Sequence, residues 1–334
     1  MRRTGSIALV VVFLSCTTPP HSRRPSVAFA APAADPPQRF ARADSAIIVA
    51  LDGVRWQDVF GEDLPTLHRW MTTEGATIGA PGHGEMWSSG PNFVSLPGYT
   101  EILTGRPSAC QTNQCAAIDA PTIVDEVLDH GGDAAVVASW EILEQAAARE
   151  PRRAAVSVGR HHVEHPDLFD ARLLEVGRAA GPWPGSGDYR PDALTARVAL
   201  ELFARHVPKL AFVGLGDTDE WAHHGDRRRY LASLRAADAF LGDLEKRVGD
   251  HAAILVTADH GRNAAFRDHG GGWHESGRVW LIAKGAGIEA RGSIDEPMHH
   301  LADIAPTVRC LLGLPPVTAL DSGEAIAPLC TNYP

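Results

Sequence analysis

The sequence predicts an α/β fold, a mostly parallel sheet sandwiched between helices. Three observations carry that expectation. First, apolar runs stop abruptly at acids and glycine: residues 47–51 run into Asp52-Gly53, residues 210–215 into Gly216-Asp217-Thr218-Asp219, and residues 254–258 into Asp259-His260-Gly261. Continuous apolar runs of this length read as strands buried on both faces. Second, segments of helical period separate them, chiefly residues 192–206, with Leu194, Val198 and Leu202 a turn apart, and residues 227–248, with an apolar stripe from Tyr230 to Val248. That stripe is core packing and carries no function. Third, 334 residues without an internal repeat suit one large domain, or a domain with a small cap.

Taken in order, the amino terminus stands apart from the fold. Arg2 and Arg3 precede the apolar residues 7–14, a run too short to span a bilayer but right for the core of an export signal. Of two cleavage points, Ala28-Phe29-Ala30 has signal-peptidase spacing but lies far downstream. Phe13-Leu14-Ser15-Cys16 resembles a bacterial lipobox, with phenylalanine unusual at its first position. The second is preferred, so residues 1–16 are expected to form a lipoprotein-type export signal. Cys16 would carry lipid, anchoring an exported chain that is periplasmic or on the outer surface, and residues 17–45, rich in Pro, Ala and Arg, would be a disordered tether. The cysteines left over are even in number, as suits an oxidising compartment. Cys110 and Cys115 are expected to pair locally. Cys310 and Cys330 either staple the carboxyl-terminal tail to the last helix or leave Cys310 as a core residue.

The catalytic domain is expected to cover residues 46–330. Residues 65–74 read as a short helix, and residues 95–105 as a helix entered with Ser95 near the N-cap and Pro97 in the first turn. Helix 122–130, strand 134–138 and helix 140–148 follow. Residues 150–189 have weak periodicity and are expected to form a cap insertion. Asp192 is expected to cap the next helix, and residues 278–283 and 303–312 to form a strand and a helix. The formal net charge of -10 argues against nucleic acid as the main partner. It leaves a small anionic substrate open, because bound cations would set the local field.

In such a fold ligands bind beyond the carboxyl ends of the strands. The ligand-type residues there are Asp52, Asp219 with His223, Asp259 with His260, and His269 or His274 before the following strand. Three carboxylates and three imidazoles suit two divalent transition ions, each keeping room for substrate. Histidine beside carboxylate favours zinc over magnesium or calcium. Ser95, at a helix amino terminus, would present its oxygen among free N–H groups and close to an ion able to lower its pKa.

These motifs resemble the alkaline phosphatase superfamily, which includes nucleotide pyrophosphatase/phosphodiesterases, sulfatases and cofactor-independent phosphoglycerate mutases. The resemblance rests on residues 47–53, the run Ser95-Leu-Pro-Gly-Tyr-Thr-Glu-Ile-Leu-Thr-Gly105, residues 216–223 and Thr257-Ala-Asp-His-Gly261, with a further similarity at Asp303-Ile-Ala-Pro-Thr-Val308. It implies an alkaline phosphatase-like fold with Ser95 as nucleophile and as a ligand of one zinc, together with Asp52, Asp259 and His260. The other zinc would take Asp219, His223 and a late histidine. His269 matches the phosphodiesterase-like spacing and His274 a shorter, phosphatase-like one; His269 is preferred. His223 is preferred to His224 by its four-residue step from Asp219.

Two departures narrow the substrate. The sulfatase motif places arginine where this chain has Tyr99, which disfavours sulfate esters. The phosphodiesterase pattern has asparagine where this chain has Gly98, so Asn92 or Arg106 is expected to hold a non-bridging phosphate oxygen instead. The expected function is hydrolysis of small phosphate esters, mono- or diesters, through a zinc-activated serine and a phosphoseryl intermediate. The alternatives are a phospho-group transferase on the same site, a sulfatase-like hydrolase, and a non-catalytic surface binding protein.

Overall fold

The computed structural model describes residues 42–296, 298–317 and 322–330. The expected export signal, Cys16 and nearly all of the expected tether lie outside the described residues. The strands are β1 (Ser45–Leu51), β2 (Gly75–Ile78), β3 (Met86–Trp87), β4 (Ala134–Ala138), β5 (Ala155–Val158), β6 (His162–Glu164), β7 (Leu210–Leu215), β8 (Ala252–Thr257), β9 (Arg278–Val279), β10 (Leu281–Gly285), β11 (Gly292–Ser293) and β12 (His299–His300).

One large sheet has the order β11-β2-β10-β8-β1-β7-β4-β5-β6, and a small one the order β12-β3-β9. The consecutive strands β8, β1, β7, β4 and β5 are parallel. Every residue of β1, β7 and β8 is buried, as their unbroken apolar sequences require. Helices flank the sheet. Asp192–Arg205 and Arg227–Val248 pack together, as do Ser95–Thr104 and Ile304–Leu312. Ala50 of β1 pairs with both Gly214 of β7 and Thr257 of β8, so the carboxyl ends of three central strands lie level. That register brings Asp52, Asp219 and Asp259 to one edge.

Three expectations need correction. Residues 150–189 do not form a cap: β5 is fully buried and pairs parallel with β4, β6 adds an antiparallel edge, and the helix Ala171–Ala179 packs on Asp192–Arg205. The periodicity was weak because the strands are short and a buried polar residue organises them. Arg190 is 1% exposed and donates to the Ser157 hydroxyl and to the carbonyls of Ser157 and Ala138. Asp192 opens its helix as the first helical residue rather than capping it. Its carboxylate accepts from the Gly216 and Asp217 amides and from the Ser139 hydroxyl, and so fixes the turn that follows β7. The expected strand 278–283 divides at Trp280, with β9 entering the small sheet and β10 running antiparallel to β8. Cys110 pairs with Cys115, and Cys310 with Cys330.

Candidate active site

Asp52 follows β1 directly, Asp259 follows β8 by one residue, and Asp219 and His223 lie on the helix Asp217–His223 after β7. All three carboxylates are buried. Two groups have ligand atoms within 4.8 Å of one another: Asp219, His223 and His269, and Asp52, Asp219 and His260. Asp219 thus stands between them. Asp259 joins the second group through Oδ2, 3.5 Å from His260 Nε2, while its Oδ1 accepts from the Gly53 amide at 3.1 Å.

The imidazoles are oriented for coordination. His260 Nδ1 lies 2.8 Å from the Gly261 carbonyl and His269 Nδ1 lies 2.8 Å from the Phe93 carbonyl, which assigns the protons to Nδ1. Each Nε2 then faces the cluster with a lone pair. The two rings stack at 4.0 Å, and His269 Nε2 lies 3.1 Å from His223 Nε2. His274 is elsewhere, 4.8 Å from the Trp87 ring. His224 turns away too, bonded to the Pro184 carbonyl and stacked on Trp183 at 4.5 Å.

The electrostatics favour a cation. Burial and the charges of Asp259 and Asp219 push Asp52 well above the carboxylate range, and burial with Asp219 raises Asp259 to about 8. Burial would raise Asp219 as well, but the Arg262 guanidinium, His269 and His223 hold it well below its usual value. Burial keeps His260 neutral. Three carboxylates therefore cannot all ionise here without added positive charge. Asp259 Oδ2 is buried and has no hydrogen-bond partner. An orphaned carboxylate oxygen beside a neutral imidazole is a donor set that fits a divalent transition ion.

Ser95 is the first residue of the helix Ser95–Thr104, and Val94 takes the cap position without a side-chain bond. Ser95 therefore does not serve as an ordinary N-cap. Its hydroxyl, 1% exposed as a residue, lies 3.4 Å from Asp52 Oδ1 and 3.4 Å from His260 Nε2. The expected ring of free N–H groups is sparser than supposed: Asn113 Oδ1 takes the Leu96 amide, Pro97 has none, and the Gly98 amide bonds the Val94 carbonyl.

Gly98 allows a close approach. A Cβ there would lie 2.3 Å from the Asp259 carbonyl oxygen, so the asparagine of the phosphodiesterase pattern does not fit at this position without a shift of the helix. Tyr99, one turn from Ser95, donates to Asp52 Oδ2 at 2.6 Å. The two expected phosphate-binding residues, Asn92 and Arg106, stand in different places. Asn92 bridges two loops, donating to the Gln111 carbonyl and accepting from the Gly271 amide. Arg106 follows Gly105, the C-cap of the helix Ser95–Thr104, so it lies at the far end from Ser95, about 15 Å along a ten-residue helix.

Sequence reasoning passed over Tyr99, Asn113 and Arg262. Tyr99 had a signal in its four-residue step from Ser95, and Arg262 in following Asp259-His260-Gly261 directly. Asn113 had none, because its contact depends on the fold of the disulfide loop.

Comparison with known proteins agrees with the fold. Residues 190–316 match the Metalloenzyme superfamily. The chain is 36% identical over 263 residues to the phosphopentomutase of Rhizobium johnstonii, covering 70% of this chain and 62% of the relative. It is 29% identical over 179 residues to the 2,3-bisphosphoglycerate-independent phosphoglycerate mutase of Cyanothece sp., covering 50% of this chain and 33% of the relative. The chain thus spans about a third to two thirds of the length of these curated relatives. Among solved structures, the phosphonate monoester hydrolase of Agrobacterium radiobacter superposes with a TM-score of 0.60 at 15% identity, over 87% of this chain and 78% of that one.

Proposed function

We propose that this chain, which has the alkaline phosphatase superfamily fold and matches the Metalloenzyme superfamily over residues 190–316, is a metal-dependent hydrolase of phosphate esters with Ser95 as its nucleophile. The observation that carries the proposal is the placement of the Ser95 hydroxyl, 3.4 Å from both Asp52 Oδ1 and His260 Nε2 at the edge of the ligand cluster.

Asp52, Asp259 and His260 would hold one divalent ion beside Ser95, and Asp219, His223 and His269 would hold the other. The ions, zinc or manganese, would supply Lewis acidity and neutralise charge at the phosphoryl oxygens and the leaving oxygen. Ser95 Oγ would attack phosphorus, the bond from phosphorus to the ester oxygen would break with its electron pair going to that oxygen, and the serine proton would pass to the departing alkoxide, leaving phosphoserine and the free alcohol. Water then attacks the same phosphorus, releasing phosphate and returning Ser95. Tyr99 fixes Asp52 through its second oxygen, and Asn113 ties down the turn that carries the nucleophile.

A panel of phosphomonoesters, phosphodiesters and sulfate esters tests the reading, with wild type stripped by EDTA and reloaded with zinc or manganese, and with Ser95→Ala. Metal-restored hydrolysis of phosphate esters, lost in Ser95→Ala, supports it. Full activity in Ser95→Ala contradicts the covalent route, and absence of bound metal contradicts the centre itself.

The matched relatives named as mutases favour a second reading, in which an acceptor alcohol rather than water takes the phosphoryl group from Ser95. Product that depends on an added acceptor, without net phosphate release, distinguishes it. Export and attachment to a membrane surface through lipid on Cys16 are part of the same proposal. The two disulfides support an oxidising compartment, and mass analysis of the peptide containing Cys16 tests the anchor.

A further inference from the structure

A buried guanidinium sits inside the ligand cluster and has no part in the reaction above. Arg262 is 1% exposed. It donates through Nη1 to Asp219 Oδ1, through Nε to the Phe266 carbonyl at 2.8 Å and through Nη2 to the Arg267 carbonyl at 2.7 Å. The same Nη2 is 3.5 Å from His223 Nδ1. The fold makes room for this group. A Cβ at Gly53 would stand 2.7 Å from Arg262 Nη1 and 2.3 Å from Asp219 Oδ1, a space that only glycine leaves open. Phe266 adopts φ 76, a left-handed conformation uncommon for a bulky residue, in the turn whose carbonyl meets Nε.

The guanidinium therefore links the strand end after β8, the loop that carries His269 and the helix that carries Asp219 and His223. Its contact with Asp219 also decides what that carboxylate can offer. Oδ1 is engaged by Arg262 and lies 3.8 Å from His269 Nε2, while Oδ2 lies 3.0 Å from His223 Nε2. A buried carboxylate with no counter-charge is strongly disfavoured, and here two more carboxylates stand close by.

We propose that Arg262 is a built-in counter-ion of the metal centre. It holds Asp219 and residues 262–269 in the ligand arrangement when no ion is bound, and it competes with the ion for Asp219 Oδ1, leaving Oδ2 as the oxygen free of the guanidinium. The proposal rests on reading those three residues as ligands.

The test uses the whole chain, metal-stripped and zinc-titrated, as wild type, Arg262→Gln and the double variant Arg262→Gln/Asp219→Asn. Unfolding temperature and zinc affinity against a competing chromophoric chelator are measured. Without metal, Arg262→Gln is expected to melt about 5 °C or more below wild type, since a buried charge has lost its partner. Zinc should raise its melting temperature more than it raises that of wild type, with affinity increased roughly tenfold or more because no fixed cation competes for Asp219. The double variant should recover most of the metal-free loss. An unchanged metal-free melting temperature, weaker zinc binding in Arg262→Gln, or no recovery in the double variant would overturn the proposal. Should Arg262→Gln fail to fold, recovery in the double variant supports the counter-ion role and failure there overturns it. Wild type that binds neither zinc nor manganese would sink the ligand reading itself. Metal binding by wild type that Arg262→Gln leaves unchanged would sink this inference alone.

Discussion

Replacing Gly98 by alanine sets two opposing effects against each other. Helix propensity favours the change, because alanine in a helix interior is about 1 kcal/mol better than glycine. Packing opposes it. The new Cβ would stand 2.3 Å from the Asp259 carbonyl oxygen and 2.8 Å from its carbonyl carbon, where ordinary contact begins at 3.4 Å. Both are backbone atoms just past a fully buried strand, so the helix Ser95–Thr104 must retreat by roughly 1 Å, the difference between 3.4 and 2.3 Å. Forced overpacking of this kind costs about 1–3 kcal/mol, enough to cancel the propensity gain and leave a net loss of up to about 2 kcal/mol. At about 2–4 °C per kcal/mol, the melting temperature should fall by a few degrees. The effect on chemistry should be larger, because a displacement of about 1 Å at a reacting atom can cost about a hundredfold in rate. Thermal unfolding of the metal-stripped protein and steady-state hydrolysis of nitrophenyl phosphate measure the two effects. A Gly98→Ala protein that is more stable than wild type and fully active would refute the close approach on which the site's geometry depends.

Three further outcomes are expected. Tyr99→Phe leaves Asp52 Oδ2 without its 2.6 Å donor; the loss should be about 1–3 kcal/mol of metal-free stability by thermal unfolding, and a variant as stable as wild type would argue against that bond. Asn113→Ala frees the Leu96 amide; hydrogen exchange at residues 94–98 should accelerate and stability should drop by about 1 kcal/mol, so unchanged exchange would remove the disulfide loop from the support of Ser95. The third concerns pH. With no ion bound, burial and Asp219 raise Asp259 to about 8 from its ordinary 3.8, so the folded state keeps a proton that the unfolded state releases. The unfolded state then binds fewer protons over that window, and metal-free stability should fall as pH rises from about 4 to about 8. Bound metal displaces the proton, so metal affinity should climb across the same window and level off above it; an affinity independent of pH would contradict the assignment of Asp259 as a ligand.

The central strands were legible because burial on both faces leaves an unbroken apolar run. β7 and the helix Arg227–Val248 therefore fall where periodicity places them. The residues at the strand ends were legible for a related reason: Asp52 and Asp259 interrupt such runs with charge, and parallel pairing carries them to a common edge. The sheet's β5–β6 side was not legible, because its strands are only four and three residues long and Arg190 and Ser157 place polar groups among the buried apolar ones. The placement of Asn92 and Arg106 escaped the sequence as well. Nearness to Ser95 along the chain says nothing about which end of a helix a residue occupies or which loop it bridges. Arg262 directly follows Asp259-His260-Gly261, but only the fold places its guanidinium against Asp219 and under the loop that bears His269.

The most direct test of the account is to trap the intermediate. Zinc- or manganese-loaded protein is mixed with a phosphate ester, quenched in acid within the first turnover, and digested for mass analysis of the peptide that contains Ser95. The account predicts one added phosphoryl group on Ser95, present in wild type, absent after EDTA treatment and absent in Asp259→Asn. Turnover with no phosphoryl group on that peptide, or with the group on another residue, would contradict it.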